Sequence, residues 1–286
     1  VRYHISHTTI YHYSQPVRLS THTLRLRPRS DGIQQLANFS MEIQPLPIKA
    51  SDFLDLEGNA CHQIWFPDEP TTTLLIHSTS EIETHRTNPF DYLSEPWATH
   101  APLDYPVSTA VRLTPYLAPP NLTISPQVIE FAQTLLHSVE ANVGFFLTQL
   151  TQSIYSRCEY VQRHVGGPQP AGITLAQQSG TCRDFVVLFM EACRAVGLAA
   201  RFVSGYQEGD PDQDNHDLHA WVEVYIPGGG WRGFDPTHGL AVTDRHIAVA
   251  AAAYPADAAP VVGKLKSGEL ASATLDSQIK LTVLSQ

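Results

Sequence analysis

Cys182, His219 and Asp235 have the types and the order that thiol acyl transfer needs. In that chemistry a thiolate attacks a carbonyl carbon, and an imidazole takes the thiol proton and returns it to the leaving amine. A carboxylate fixes the imidazole tautomer and stabilises its cation. Cys182 follows Ser179-Gly180-Thr181 and opens a segment in which Phe185, Leu188, Phe189, Ala192, Cys193 and Val196 recur at three- and four-residue spacing, before Gly197 stops it. The pattern predicts a helix over 182–196 with Thr181 as N-cap, and Asp184 three residues later completes a Thr-x-x-Asp capping box. A thiol in the first turn meets unpaired N–H groups and the positive end of the helix dipole, both of which favour the thiolate. Arg183 opposes the dipole, but its charge favours a neighbouring thiolate.

The partners must come from elements further along. Residues 200–206 read as a strand, 207–217 as a polar loop, and 218–226 as a period-two strand with Leu218, Ala220, Val222, Val224 and Ile226 on the buried face. His219, Trp221, Glu223 and Tyr225 fall on the other face, where Glu223 is expected to be solvated and Trp221 to pack in the hairpin or shield His219. A Pro227-Gly228-Gly229-Gly230 turn leads to a short strand over 231–237 that Pro236 stops. Parity constrains this hairpin. If Ile226 faced Trp231, Asp235 would lie opposite Val222 on the wrong face. A loop of odd length from Ile226 to Gly230, or a bulge, places it opposite Trp221 and diagonal to His219.

Other histidines compete for these roles. His238 is the nearest rival for the base, though it follows the strand stop. His216 and His219 with Asp214, Asp217 or His238 invite a metal reading, but they lack a helical His-Glu-x-x-His context that would aim two imidazoles and a base from one face. No metal and no cofactor are expected. His4, His7, His12 and His22 fall on alternating strands and read as surface or satisfied-core residues.

The runs Gly180-Thr181-Cys182-Arg183-Asp184-Phe185, Ala200-Arg201-Phe202-Val203-Ser204-Gly205-Tyr206, His219-Ala220-Trp221-Val222-Glu223-Val224 and Phe234-Asp235-Pro236-Thr237 together resemble the transglutaminase-like superfamily. Within it they look most like the bacterial branch described as cysteine proteases, and the first eighty or so residues resemble that branch's β-rich N-terminal domain. The resemblance implies a papain-like thiol core with Cys182 as nucleophile, His219 as base and Asp235 as the orienting carboxylate. Animal crosslinking enzymes of the superfamily carry a tryptophan upstream of the nucleophile, whereas this chain has none between Trp97 and Trp221. The expected reaction is therefore hydrolysis of a peptide or isopeptide amide. The alternatives are an amine as acyl acceptor, which would make a protein-glutamine transglutaminase, and an inactive peptide-binding module. The oxyanion donor expected is the Cys182 backbone N–H, with Gln177, Gln178 and Tyr160 as side-chain candidates. Residues 250–253 are alanine-rich where relatives are expected to be more polar.

The remaining sequence sets the frame. Regular strand and turn signals from 3 to 85 suggest an antiparallel sandwich, with strands at 3–13, 17–27, 37–44 and 72–83 and a 53–66 hairpin turned at Glu57-Gly58-Asn59. Seven prolines within 87–120 mark an extended connector. Helices are predicted from Pro126 to about Ser138 and over 143–158, with final strands at 269–274 and 278–284. The fold expected is thus α+β: an N-terminal antiparallel β-sandwich over 1–86, a connector over 87–120 and a papain-like, transglutaminase-like catalytic core over 121–286.

With 18 Lys plus Arg against 28 Asp plus Glu, the net charge of −10 argues against nucleic-acid or anionic-membrane partners. A peptide or protein substrate is expected, while the sequence leaves the oligomeric state open. No apolar run reaches transmembrane length and the N-terminus lacks a leader pattern, so a cytoplasmic location with reduced cysteines is expected. Cys61, Cys158 and Cys193 show no close-spaced framework, and Cys193 lies on the apolar stripe of its helix.

Overall fold

The computed structural model describes residues 1–118, 123–163, 166–209, 218–266, 268 and 270–285. The chain runs through β1 (Arg2–Val17), β2 (His22–Leu24), β3 (Gln34–Gln44), β4 (Lys49–Leu54), β5 (Ala60–Trp65) and β6 (Thr71–Thr84). It continues with α1 (Val107–Leu117), α2 (Pro126–Ser138), α3 (Val143–Arg157), β7 (Glu159–Tyr160), α4 (Ala171–Gln177), β8 (Ser179–Gly180) and α5 (Cys182–Ala195). The last part is β9 (Ala200–Gln207), β10 (His219–Ile226), β11 (Gly230–Asp235), β12 (Leu240–Ala241), β13 (His246–Ala252), β14 (Val261–Val262) and β15 (Ala273–Ser285).

Two four-stranded antiparallel sheets, ordered β15-β1-β6-β3 and β14-β2-β5-β4, form the N-terminal sandwich around Val17, Leu24, Ile64, Leu74 and Ile76. The core sheet is five-stranded, ordered β12-β11-β10-β9-β13. The apolar stripe of α5, including Phe185, Leu188, Phe189 and Ala192, packs on Val222, Val224 and Phe234 of that sheet. Each buried side chain of this kind contributes about 1.5–3 kcal/mol, so the stripe holds the helix in place against the hairpin.

Several expectations change. Residues 261–285, assigned from sequence to the catalytic part, return to the sandwich: β14 pairs with β2, and β15 pairs with β1 from Arg2↔Ser285 to Tyr13↔Ala273. The sixteen-residue β1 would otherwise present a long open edge, and β15 covers it as one continuous strand in place of the two short ones expected. The connector is not extended throughout, since α1 lies inside it with Pro115 in its last turn. The strand expected over 17–27 shrinks to β2.

Both faces of the core sheet are covered, so the expected exposed face of β10 does not exist. By register Tyr206 and Ile247 lie on the Ala220 face, and there they pack against Tyr3, Ile5, Ile82 and Ile279 of the sandwich. On the His219 face Glu223 is buried and paired with Arg201 at 2.6 Å, and Trp221 is buried among Val203, Val242, Ala248 and Ala251. The outer edge of β13 is paired by side-chain amides of the sandwich. Gln34 accepts from the Ala248 N–H and donates to its carbonyl, both at 2.8 Å, and Asn59 does the same with Ala251 at 2.9 Å. These four bonds satisfy backbone groups that an edge strand leaves open.

Candidate active site

Cys182 occupies the first position of α5, and it is 8% exposed. Asp184 builds the turn around it. Its Oδ2 accepts from the Thr181 N–H at 2.8 Å and the Thr181 hydroxyl at 2.9 Å, while the Arg163 guanidinium and the Gln169 N–H reach Oδ1 at 2.8 and 2.6 Å. Burial works against the Asp184 anion, but these donors outweigh it and hold its carboxyl below the usual range. Arg183 donates to the Arg163 carbonyl at 2.6 Å, so two consecutive helix residues pin the segment that borders Cys182.

The hairpin register places the other two groups. Ile226 pairs with Gly230 and Val222 with Phe234, an odd loop that leaves Asp235 next in line beyond Phe234 and opposite Trp221. His219 Nε2 donates to Asp235 Oδ2 at 2.8 Å. With Nε2 committed, Nδ1 is the ring atom left for Cys182, which lies within hydrogen-bonding reach of the imidazole. Gly205 pairs with His219 across the sheet, and a Cβ there would meet the Ile247 carbonyl at 2.2 Å and the Trp221 ring at 2.6 Å. Only glycine lets β13 and Trp221 close on this position.

Asp235 is 0% exposed. Its Oδ1 accepts from the backbone N–H groups of Thr237 at 2.9 Å and His238 at 3.3 Å. Its Oδ2 serves three imidazoles: His219, His238 through Nδ1 at 2.9 Å, and His246 through Nε2 at 3.1 Å. Burial raises the carboxyl, but the His219 charge and these bonds win and hold Asp235 well below the usual carboxylate range. Burial likewise opposes the His219 imidazolium, yet the Asp235 charge and hydrogen bond, with Cys182 adding to them, push it up to about 10. Atoms of His219, Asp235 and His238 lie within 4.8 Å of one another, close enough for an ion. Both ring nitrogens are already hydrogen-bonded to the carboxylate, and no metal ligand is assigned here. His216, Asp214 and Asp217, the other members of the metal reading, lie outside the described residues.

Cys182 and His219 open into a cleft of ≈ 370 Å³ with walls from both parts of the molecule. Phe202 and Ala220 contribute from the core, and His7, Thr9 and Ser277 from the sandwich. His7 is a satisfied core residue, bonded to the Tyr206 hydroxyl and to Thr9 at 3.0 Å each; burial, with His77 adding to it, pulls its pKa down to about 4. Tyr160 also lines the cleft, brought beside Cys182 by its pairing with Gly180, whereas Gln177 and Gln178 do not line it. The sandwich wall and His246 were not foreseen from sequence. His246 sits on a strand with no motif around it, and only the pairing of β13 with β9 brings it to Asp235.

The bacterial transglutaminase-like N-terminal region matches residues 3–83, and the transglutaminase-like superfamily matches residues 130–236. An uncharacterised protein of Mycobacterium tuberculosis is 31% identical over 276 residues, covering 92% of this chain and 87% of that one. A Mycobacterium leprae protein is 27% identical over 293 residues, covering 99% of both. A solved structure from Cytophaga hutchinsonii, described as a candidate cysteine protease, shares the fold with a TM-score of 0.76 at 22% identity, covering all of this chain and 91% of that one. The chain belongs to the transglutaminase-like superfamily. A protein-glutamine gamma-glutamyltransferase of Pseudomonas aeruginosa is 37% identical over 71 residues, which span 22% of this chain and 11% of that protein.

Proposed function

We propose that the protein hydrolyses peptide or isopeptide amides through a thioester on Cys182. The observation that carries this reading is the convergence of a thiol at a helix N-terminus with an imidazole held by a buried carboxylate, both lining one cleft. Cys182 Sγ gives its proton to His219 Nδ1 and attacks the carbonyl carbon, while the Cys182 backbone N–H faces the developing oxyanion. The imidazolium then protonates the departing amine, leaving the acyl group on sulfur. Water attacks that thioester with His219 as base, the acid leaves, and the thiol is restored. Asp235 holds the imidazole in the tautomer that points Nδ1 at sulfur. The substrate is a peptide or protein segment slim enough to lie between the sandwich wall and the core.

Amine transfer shares the first half of this reaction, and the Pseudomonas relative's name keeps it as the second reading. Intact-mass analysis after incubation with a pool of acyl-donor peptides, with and without a primary amine, separates the two. Hydrolysis requires a transient acyl adduct on Cys182 that decays to free acid with or without amine. Efficient amide formation with the added amine replaces it by transglutaminase activity. Failure of every donor to load Cys182 moves the reading to a peptide-binding module.

A further inference from the structure

Two histidines outside the triad share its carboxylate. His246 comes from β13, which is held at its outer edge by Gln34 of the sandwich, and its ring stands edge-on to Trp221 at 5.3 Å. His238 comes from the turn after β11, with a side chain 40% exposed. Both donate to Asp235 Oδ2, the same oxygen that receives His219. The carboxylate does not need them for its orientation, because the Thr237 and His238 backbone N–H groups already hold Oδ1. What the two rings change is the charge that His219 meets.

A buried carboxylate whose only imidazole partner were His219 would hold that ring as a fixed cation, since charges interact strongly away from water. Every further N–H on Oδ2 stabilises the anion by itself and weakens its claim on the His219 proton. A general base works best when its pKa lies near the operating pH, which requires such weakening. We infer that His246 and His238 are positioning residues that divide the Asp235 charge among three N–H donors and thereby set how tightly His219 keeps its proton. Burial keeps His246 neutral despite the pull of Asp235, so it donates Nε2–H without adding a rival cation. The titratable groups around the carboxylate are His219 from β10, His238 from the turn and His246 from β13, with Cys182 of α5 across the His219 ring.

The inference rests on Cys182 being the thiol paired with His219, and its test uses no acyl donor. Iodoacetate is an anion drawn to the thiolate by the His219 imidazolium, so its rate of alkylating Cys182 falls where that ring loses its proton. In the full chain, His238→Ala and His246→Phe are each expected to move this upper limb toward higher pH by about half a unit or more, and together further. His238→Asn and His246→Gln place an amide N–H near the lost ring donor and are expected to restore the limb. Should His246→Phe fail to fold, the half-exposed His238 pair decides the matter. An unmoved limb in His238→Ala, or a limb that moves equally in the amide and apolar variants, overturns the inference. A protein that loads no thioester yet shifts its limb as described keeps the inference and loses the acyl-transfer reading.

Discussion

On its thiol side His219 faces Cys182, which four consecutive residues, Thr181 to Asp184, place at the start of α5. On its carboxylate side it meets Asp235, whose surroundings come from three strands and a turn between residues 219 and 246. The thiol side is a local structure reinforced by tertiary contacts. The carboxylate side is a tertiary structure with almost no local signature. Damage to the first should travel through helix capping, and damage to the second through charge and proton affinity.

The largest expected effect is on chemistry at the thiol. Cys182→Ala removes all thioester formation, and His219→Ala lowers acyl transfer by ~10⁴-fold or more, as loss of one member of a cooperating set does. Single-turnover mass measurements check both; activity lost in His238→Ala but kept in His219→Ala would reassign the base. Asp235→Asn, next in size, should slow acylation by about 10²- to 10³-fold with the fold retained.

That variant also carries a pH signature. In the folded chain His219 holds its proton up to about 10 against an ordinary 6.5, so its contribution to stability is complete below 6.5 and fades as pH rises toward 10. Asp235 runs the opposite way: held well below 3.8, it stabilises above that value and loses its effect in stronger acid. Melting curves of the unaltered chain and Asp235→Asn should therefore differ most between about pH 4 and 6.5 and converge toward pH 10. A constant difference across that range would remove the ion pair from the account.

Asp184→Ala tests the thiol side alone. It leaves the Arg163 guanidinium and three N–H or O–H donors without their acceptor, at a cost of about 3 kcal/mol in urea unfolding. Acylation should fall with it while the upper pH limb stays in place, which is the contrast with the carboxylate side. Labelling by substoichiometric iodoacetamide near pH 6 should reach Cys182 first, because burial pushes the thiols of Cys61, Cys158 and Cys193 up and none has an imidazole partner among the described residues. Equal labelling of all four would defeat the activated thiol. The smallest effect expected is none: chelators should leave turnover unchanged, and a calcium requirement would favour the crosslinking reading.

The helix beginning at Cys182 was legible because its stripe of apolar residues repeats at helical spacing and its cap is spelled out in four letters. Parity called for an odd hairpin loop or a bulge, since a side-chain period of two leaves Asp235 only one face from which to meet His219, and the Ile226↔Gly230 register supplies the odd loop. Glu223 was misread because a strand's alternation tells which residues share a face and not whether a second layer covers that face. Here Glu223 finds Arg201 on the neighbouring strand, and the Arg201 guanidinium lies in turn over the Trp231 ring at 4.2 Å. His246 carried no signal, since it neighbours none of the motifs and reaches Asp235 only through strand pairing.

The sequence by itself determined the place of Cys182 at a helix start, the pairing parity and the family, because capping, periodicity and short motifs act over a few residues. The tertiary structure decided that β15 closes the sandwich, that the sandwich forms one wall of the cleft, and that three imidazoles meet on one carboxylate oxygen. Those outcomes depend on which edges and faces remain open once every strand is packed, and burying them together satisfies groups that lie up to hundreds of residues apart along the chain.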